Sequence, residues 1–351
     1  MTCVLVLPGA LLPADLAPEV LRAANASVLA GLARGARLAP LQVLPWGLSP
    51  GAAHLHWLWR YFGGDGLPIT APYAWRALGG PALATELWAC RPAHCALARD
   101  HMALAALDGS PPSPAEFEAR LPAVREAAAA AGCVLQELDE HWFLSRTEPW
   151  DLQVRAWESQ LDQAIGPESA SGAAVLAWRR LTNEVQMHWE VAGLNTEREA
   201  AGRPTINSVW IEGGGVWRRL RPATVRAVMS DDAAVRGWAL AAGLPDAAVT
   251  PVRERWPEAT RGDRLAVLSE LLPAWRLRDW GQWLACLPAL EARVAALVEQ
   301  ARAAGHAEVR LVATGGEHAR ELIHTPVGWR VWRSWRAPNL ALWLTEPELA
   351  P

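Results

Sequence analysis

The chain has 351 residues, 51% of them hydrophobic, and a formal net charge of −4 at pH 7. This composition allows a sizeable core, and the acidic balance lacks the basic field that nucleic-acid binding requires. The basic residues are all arginine, which excludes mechanisms that depend on a lysine, such as Schiff-base formation or a P-loop.

Three further features of the sequence indicate the compartment of the protein. The N-terminal apolar run has no basic segment before it, and no apolar run reaches the length of about 18 residues that a membrane span needs, so we expect neither a signal peptide nor a membrane partner. The cysteines are odd in number and scattered along the chain, which is typical of a reducing compartment. We therefore expect a cytoplasmic protein.

Apolar runs and helical periodicities alternate along the chain. Short apolar runs that end in Gly, Pro or polar turns predict strands, and longer segments with apolar residues at helical spacing predict helices. In chain order, the predicted elements are a strand at 3–7, helices at 16–38, 54–61 and 114–131, a strand at 133–138, helices at 173–192 and 196–202, strands at 208–211 and 225–229, helices at 232–243 and 288–304, a strand at 308–313, and one or two strands within 328–344. This alternation predicts a mostly parallel sheet with helices on both faces.

Polar motifs mark three of the helix starts. The segment Ser113–Glu116 has the form of a capping box with proline at the first helical position, and Thr196–Glu199 has the capping-box pattern as well. The segment Ser230–Asp232 predicts an N-cap for the helix that follows it.

One region carries a distinctive set of short motifs. They are Asn183–Met187, Asn195–Arg198, Gly202–Pro204, Ile206–Trp210 and Gly213–Gly215. This set resembles the RpfE-type regulatory proteins, which are distantly similar to the archaeal-type cofactor-independent phosphoglycerate mutases of the alkaline phosphatase superfamily. The resemblance implies an α/β fold, an alkaline-phosphatase-like three-layer sandwich with a mostly parallel sheet, formed by residues 1–85 and 151–351, with a small α+β cap subdomain at 86–150.

Weaker matches extend the resemblance over most of the chain. Ala53–Leu55 is similar to an Ala-His-Leu motif of the mutases, and Glu317–His318 with the later His324 is similar to an Asp-His pair that is followed by a histidine. The resemblance makes Glu317, His318 and His324 the remaining candidates for metal ligands, and Mn or Zn the metal if such a site survives.

The departures from the mutase pattern bear on activity. Where the mutases end their first strand with a metal-binding Asp, this chain has Pro8–Gly9. The position of the nucleophilic serine is taken by Pro50, with Ser49 one residue away, and Asp279–Trp283 replaces a motif rich in acidic residues and histidine. Two divalent ions need roughly six or seven protein ligands, mostly Asp and His, so the family's phosphoryl transfer is not expected here.

Three polar residues and two glycines are candidates for binding a ligand. Arg198 can hold a phosphate or carboxylate with two parallel hydrogen bonds, Asn195 and Asn207 can fix hydroxyl groups, and the backbone of Gly213–Gly214 can approach an anion. The alternative for each is structural: Asn195 as a turn or cap residue, Arg198 in a surface pair and the glycines at a tight strand exit. The sequence leaves both interpretations open.

Three functional hypotheses follow. The first is a catalytically degenerate phosphoglycerate-mutase-like protein that binds a small phosphorylated or carboxylated ligand in a regulatory role, with an unknown protein partner. The second is an active metal-dependent phosphomutase or phosphohydrolase, with a metal site rebuilt around His54, Glu317, His318 and His324 and with Ser49 and His54 as the catalytic candidates. The third is an interaction scaffold, which requires the 21 Trp residues to form an apolar surface.

Overall fold

A computed structural model describes residues 1–44, 52–97, 101–105, 107, 110–161, 163–221, 224–257, 262–325 and 340–347 of the chain. In chain order its strands are β1 (Thr2–Pro8), β2 (Arg37–Leu38), β3 (Gln42–Val43), β4 (Glu86–Leu97), β5 (Met102–Ala105), β6 (Val134–Leu138), β7 (His141–Arg146), β8 (Gln153–Val154), β9 (Ala170–Ser171), β10 (Ser208–Gly215), β11 (Val225–Met229), β12 (Val249–Thr250), β13 (Asp263–Val267), β14 (Glu308–Thr314) and β15 (His318–His324). Its helices are α1 (Ala17–Ala23), α2 (Ser27–Ala33), α3 (Ala53–Tyr61), α4 (Ala71–Ala77), α5 (Pro114–Ala130), α6 (Trp157–Gln160), α7 (Val175–Val191), α8 (Thr196–Ala200), α9 (Ala233–Ala241), α10 (Leu272–Arg276), α11 (Trp280–Ala303) and α12 (Leu340–Leu344).

These elements divide into two compact units, each with a sheet of its own. The first unit comprises the described residues of 1–67 and 219–347, and the second comprises those of 68–218. The first unit is therefore discontinuous in sequence, whereas the second is built from consecutive residues.

The sheet of the first unit is mostly parallel, as predicted. Its described strands lie in the order β12–β11–β13–β1–β14–β15–β2, and β3 also pairs with β15. The strands from β12 to β14 run parallel to one another, and β15 runs antiparallel to β14. Strand β1 is buried from Cys3 to Pro8, because a central parallel strand has helices over both of its faces.

Helices cover both faces of this sheet. On one face, Leu5 and Leu7 of β1 belong to a core that also contains Leu290 and Val294 of α11. Helices α3 and α9 lie in the other layer, where the rings of Trp59 and Trp238 are 5.4 Å apart. The result is a three-layer α/β/α arrangement, which is compatible with the alkaline-phosphatase-like sandwich that the resemblance implies.

The second unit contains an antiparallel sheet with helices on both sides. The strand order is β10–β4–β7–β6, and β5 also pairs with β4. Helices α5 and α7 share a core with Trp142 and Trp189, and α4 places Trp75 against Phe143 at an edge-to-face angle of 77°. Segment 86–150 lies within this unit, and its separate existence as a cap subdomain stays a prediction.

The predicted helix at 16–38 is wrong in its extent. The chain forms two short helices, α1 and α2, followed by β2. The break has a long-range cause, because the buried carboxylate of Glu291 on α11 accepts hydrogen bonds from the amides of Val28 (3.2 Å) and Leu29 (2.7 Å). This contact supplies α2 with the acceptor that its first turn lacks.

Helix α11 begins eight residues before the predicted start at Pro288. Asp279 is its N-cap, with Oδ1 accepting from the amide of Gln282 at 2.9 Å. Pro288 lies inside the helix, where it removes one backbone hydrogen bond without ending the helix.

The predicted helix starts give a mixed result. Ser113 and Glu116 form the expected reciprocal capping box, and Asp232 accepts from the amide of Ala234. The pattern at Thr196–Glu199 does not form a box, because Thr196 is the first residue of α8 and its hydroxyl donates to the carbonyl of Gly193.

The C-terminal prediction is wrong where the structure describes it. Strands were expected within 328–344, but residues 340–344 form helix α12. Residues 328–339 lie outside the described residues.

The tryptophans of the described residues are mostly buried, and none is fully exposed. They therefore supply core volume, as at Trp59, Trp189, Trp238 and Trp283. This distribution contradicts the scaffold hypothesis for the described part of the chain. Within the same residues, no helix has both the length and the apolar character needed to cross a bilayer.

Candidate functional site

The carboxyl ends of the parallel strands in the first unit are the natural place to look for a site, because open α/β sheets bind ligands at this edge. At the end of β1, residues Leu7 to Leu12 are buried. The indole Nε1 of Trp283 donates to the carbonyl of Gly9 at 2.8 Å, and Nε1 of Trp275 donates to the carbonyl of Leu11 at 2.7 Å. The end of β1 is thus closed by two indole rings.

Gly9 allows the backbone to pack closely against Trp275 and Leu272, and it has no side chain that could bind a metal ion. Its φ is +76°, and a Cβ at this position would lie 2.9 Å from Cβ of Trp275 and 3.0 Å from Cα of Leu272. No carboxylate is available from Pro8, Gly9 or Ala10. A divalent ion placed here would lose its water without gaining a carboxylate ligand from these three residues.

Two of the candidate metal ligands lie at the neighbouring turn between β14 and β15. Glu317 is half-buried, and burial, partly offset by the nearby His318, raises the pKa of its carboxyl group. His318 is buried, and its Nδ1 lies 3.5 Å from Oε1 of Glu346. Glu346 was not anticipated from the sequence.

The third candidate, His324, lies at the other end of β15. It pairs with Val309, near the start of β14, so about 20 Å of strand separates it from His318. Its Nδ1 lies 2.9 Å from the carbonyl of Leu32, and its Nε2 lies 3.1 Å from Nη2 of Arg302. Burial lowers the pKa of His324. His318 and His324 therefore cannot hold a common ion.

A two-ion site of the kind that the sequence resemblance implies does not fit the described residues. Among them, no group of three or more His, Cys, Asp or Glu side chains is placed to hold an ion. His54 is buried in the first turn of α3, and the neighbouring His56 has a pKa lowered to about 4, chiefly by burial. Ser49 lies outside the described residues.

In the second unit, Arg198 is fully buried and all its hydrogen-bonding groups have protein partners. Its Nε and Nη2 bind the two carboxylate oxygens of Glu116 at 2.5 and 3.0 Å. Nη1 donates to the carbonyls of Ser110 and Pro204, and Nη2 donates to the carbonyl of Pro111. Because a guanidinium has five N–H donors, none is left for a ligand.

The two asparagines are engaged in the same way. Oδ1 of Asn195 accepts from Nη2 of Arg120 and from the amide of Ile206, and its Nδ2 donates to the Ile206 carbonyl. The side chain of Asn207 pairs with the backbone amide and carbonyl of Cys95 at 2.7 and 2.9 Å. Asn195, Arg198 and Asn207 all bond to protein groups, as the structural alternative expects, but the arginine of the Arg198–Glu116 pair is fully buried and not on the surface.

The glycines at the end of β10 allow close packing. Gly213 has a φ of +65°, and a Cβ there would lie 1.8 Å from Oγ1 of Thr70. A Cβ on Gly214 would lie 2.0 Å from the ring of Trp88. The pairing of β10 with β4 shifts register in this stretch, so the glycines form a bulge that two neighbouring side chains fill.

Beside this bulge lies a buried acid that the sequence analysis missed. Glu212 forms an ion pair with Nε of Arg91 at 2.7 Å and accepts a hydrogen bond from the amide of Trp157. The pKa of Glu212 is raised to about 7, chiefly by burial; Arg91 opposes this shift and the nearby Glu158 adds to it. No local motif marked Glu212 as a paired, buried acid, because its partners Arg91 and Trp157 are distant in the sequence.

Comparison with known proteins gives a likeness in fold. No protein-family model matches the sequence, and no curated protein is significantly similar to it. The PH0037 protein from Pyrococcus horikoshii is similar in structure, with a TM-score of 0.51 and 14% identity over 92% of this chain and 87% of that chain. At this identity, the likeness shows the fold alone.

A second solved structure is more distant. The cofactor-independent phosphoglycerate mutase from Thermoplasma acidophilum DSM 1728 matches with a TM-score of 0.36 and 13% identity, over 92% of this chain and 89% of that chain. A likeness at this TM-score carries no argument about fold or function.

Proposed function

We propose that this chain is a catalytically degenerate relative of the cofactor-independent phosphoglycerate mutases, and that it binds a small phosphorylated or carboxylated ligand in a regulatory role. The motifs between Asn183 and Gly215 support the relationship. The observation that carries the loss of catalysis is the closed, apolar end of β1, where Trp283 is hydrogen-bonded to Gly9.

The chemistry of phosphoryl transfer explains the weight of this observation. In a two-metal mechanism the ions activate the nucleophile and neutralise the charge on the phosphate. A serine hydroxyl without an adjacent metal or base is a weak nucleophile. The end of β1 supplies backbone and apolar side chains instead of a carboxylate, so one of the metal positions has lost its ligand.

The ligand-binding part of the proposal does not rest on Arg198, Asn195 or Asn207. The donors of Arg198 are consumed by Glu116 and by three backbone carbonyls, and Asn195 and Asn207 hold backbone groups. The first unit's sheet edge beside Glu317 and His318 is the alternative location, because its polar groups are only partly satisfied.

A metal-dependent phosphomutase or phosphohydrolase is the second candidate function. The adjacent Glu317 and His318, at the carboxyl edge of the sheet, are the observation in its favour. A metal bound there would polarise a phosphate oxygen, and Glu317 and His318 are the side chains that would hold it.

Metal content and activity of the purified protein separate the two functions. We expect no stoichiometric manganese or zinc, and no interconversion of 3- and 2-phosphoglycerate or hydrolysis of p-nitrophenyl phosphate with either ion added. About two bound ions per chain and activity that a chelator abolishes would contradict the proposal.

A matched pair of variants sharpens this experiment. His318→Asn and His324→Asn alter two histidines on one strand, about 20 Å apart. Activity of a surviving metal site would fall in His318→Asn and persist in His324→Asn. Activity that came from a trace of contaminating phosphatase would be the same in both variants.

A further inference from the structure

The C-terminal segment at residues 340–347, here called the C-terminal strap, crosses the end of β1. The amide of Leu12 donates to the carbonyl of Leu344 at 2.8 Å, and the amide of Glu346 donates to the carbonyl of Leu12 at 2.8 Å. Trp343 and Leu344 are buried in the core of the first unit. The strap thus lies where an open α/β sheet binds its ligand.

The strap places one carboxylate in the turn between β14 and β15. Oε1 of Glu346 accepts a hydrogen bond from the amide of Gly316 at 2.7 Å. The same oxygen lies 3.5 Å from Nδ1 of His318. A backbone N–H that donates to a carboxylate oxygen, with an imidazole nitrogen near the same oxygen, is an arrangement that suits an anion.

The backbone of this turn is shaped around the carboxylate. A Cβ on Gly315 would lie 2.4 Å from Oε1 of Glu346 and 2.8 Å from the carbonyl oxygen of Leu11. A side chain at this position would crowd both the carboxylate and the Leu11 carbonyl. The glycine therefore leaves room for an anion in the turn.

Glu346 fits this position imperfectly. His318 is 8% exposed, yet its Nδ1 makes no hydrogen bond within the described residues, and 3.5 Å is longer than a good N–H···O contact. A buried polar atom without a partner costs free energy. A carboxylate that is not tethered to the strap can approach both donors at optimal distance.

Charge also permits the exchange. Glu317 stands beside the turn, and burial raises the pKa of its carboxyl group, with a smaller contribution from the negative charge of Glu346. An added anion would meet this repulsion in full. Replacement of one carboxylate by another leaves the local charge unchanged, so displacement costs less than addition.

We propose that Gly316 and His318 form a binding site for the carboxylate of a small organic acid, and that Glu346 occupies this site as an internal ligand which the acid displaces. The inference rests on the proposed binding role and supplies its ligand class. Release of Glu346 would free the strap from Leu12, which couples ligand binding to the C-terminus.

Titration calorimetry with glutarate tests the site. The variant Glu346→Ala lacks the internal competitor. Its affinity for glutarate is expected to be about tenfold higher or more, because glutarate no longer has to displace the Glu346 carboxylate. Glu299→Ala, which removes an exposed carboxylate from α11, should bind as the wild type does. His318→Ala in the Glu346→Ala background should lose binding.

Hydrogen exchange supplies a second readout. In the wild type, saturating glutarate should speed exchange of the Leu12 and Glu346 amides about tenfold, since both bond within the strap contact. If Glu346→Ala does not fold, Glu346→Gln decides, because it keeps an oxygen for Gly316 but loses the charge; tighter glutarate binding is expected.

Equal affinities of all variants, or no binding by any of them, would overturn the inference. The same titrations with inorganic phosphate define the anion: tightening for phosphate and not for glutarate would also overturn the carboxylate assignment. The two claims can fail separately. A negative result in these titrations would overturn the carboxylate site but would not change the metal and activity measurements. Chelator-sensitive activity would refute the proposed loss of catalysis but would not change the titrations.

Discussion

Arg198 and Glu116 form a two-point ion pair inside the second unit, with Nε–Oε1 and Nη2–Oε2 separations of 2.5 and 3.0 Å. The guanidinium is fully buried, and Glu116 also closes the capping box of α5. One contact therefore joins α8 to the start of α5. This role explains an arginine that the sequence presented equally well as a ligand-binding residue.

Replacement of Arg198 by alanine is expected to lower the free energy of unfolding by about 3–5 kcal/mol, because it removes the charged partner of Glu116 and leaves three carbonyls without donors. Urea denaturation measures the change. Arg125→Ala is the matched control: Arg125 pairs with Glu137 on the surface, so about 1 kcal/mol or less is expected. Similar losses in the two variants would contradict the structural role.

The pKa of Glu212 predicts a pH dependence of stability. Burial raises this pKa from 4.5 to about 7 in the folded protein, so the folded state holds the proton to higher pH than the unfolded chain does. The resulting stability is complete below pH 4.5 and is lost as the pH rises through about 7. Glu212→Gln should remove this loss.

Urea denaturation at about pH 5 and about pH 8 gives the comparison. The free energy of unfolding of the wild type should fall more from the lower to the higher pH than that of Glu212→Gln does. Glu197→Gln, which alters an exposed carboxyl group on α8, should follow the wild type. Parallel pH profiles of Glu212→Gln and the wild type would refute the assignment.

Two glycines with nearly the same backbone conformation separate strain from crowding. Gly202 and Gly213 have φ values of +64° and +65°, but a Cβ on Gly202 meets nothing within 4 Å. Gly202→Ala should cost about 1–2 kcal/mol from the left-handed conformation alone. Gly213→Ala should cost about 1–3 kcal/mol more, because its Cβ collides with Thr70.

Thermal or urea unfolding of both variants measures the difference. Equal losses of stability in the two variants would mean that an alanine Cβ at position 213 does not collide with Thr70. A selective loss of ligand binding in Gly213→Ala, without loss of stability, would favour the anion-binding interpretation instead.

The carboxylate of Glu291 is expected to hold the start of α2. Glu291→Ala removes the acceptor of the Val28 and Leu29 amides and should cost about 1–3 kcal/mol. Glu299→Ala, on the exposed side of the same helix, should change stability by less than about 0.5 kcal/mol. Equal effects in a urea titration would show that the cap contributes nothing.

The sequence predicted the features that depend on neighbouring residues. The capping box at Ser113–Glu116 and the N-cap at Asp232 lie within single turns. The buried first strand follows from a continuous apolar run. The mostly parallel sheet follows from the alternation of strands and helices.

The missed features depend on residues far apart in the chain. Arg198 and Glu116 are 82 positions apart, and Gly316 and Glu346 are 30 apart. No local pattern distinguishes an arginine that meets a buried glutamate from one that meets a ligand. The break between α1 and α2 was missed for the same reason, since Glu291 comes from a helix much later in the chain.

The discontinuity of the first unit bears on the order of folding during synthesis. Cys3 pairs with Arg264 on one side and with Val309 on the other. On the ribosome, the residues of the second unit emerge completely while the apolar β1 still has neither neighbour. Because such distant pairings form slowly and expose strand edges until they do, we expect the N-terminal strand to need protection from aggregation until the last strands have been translated.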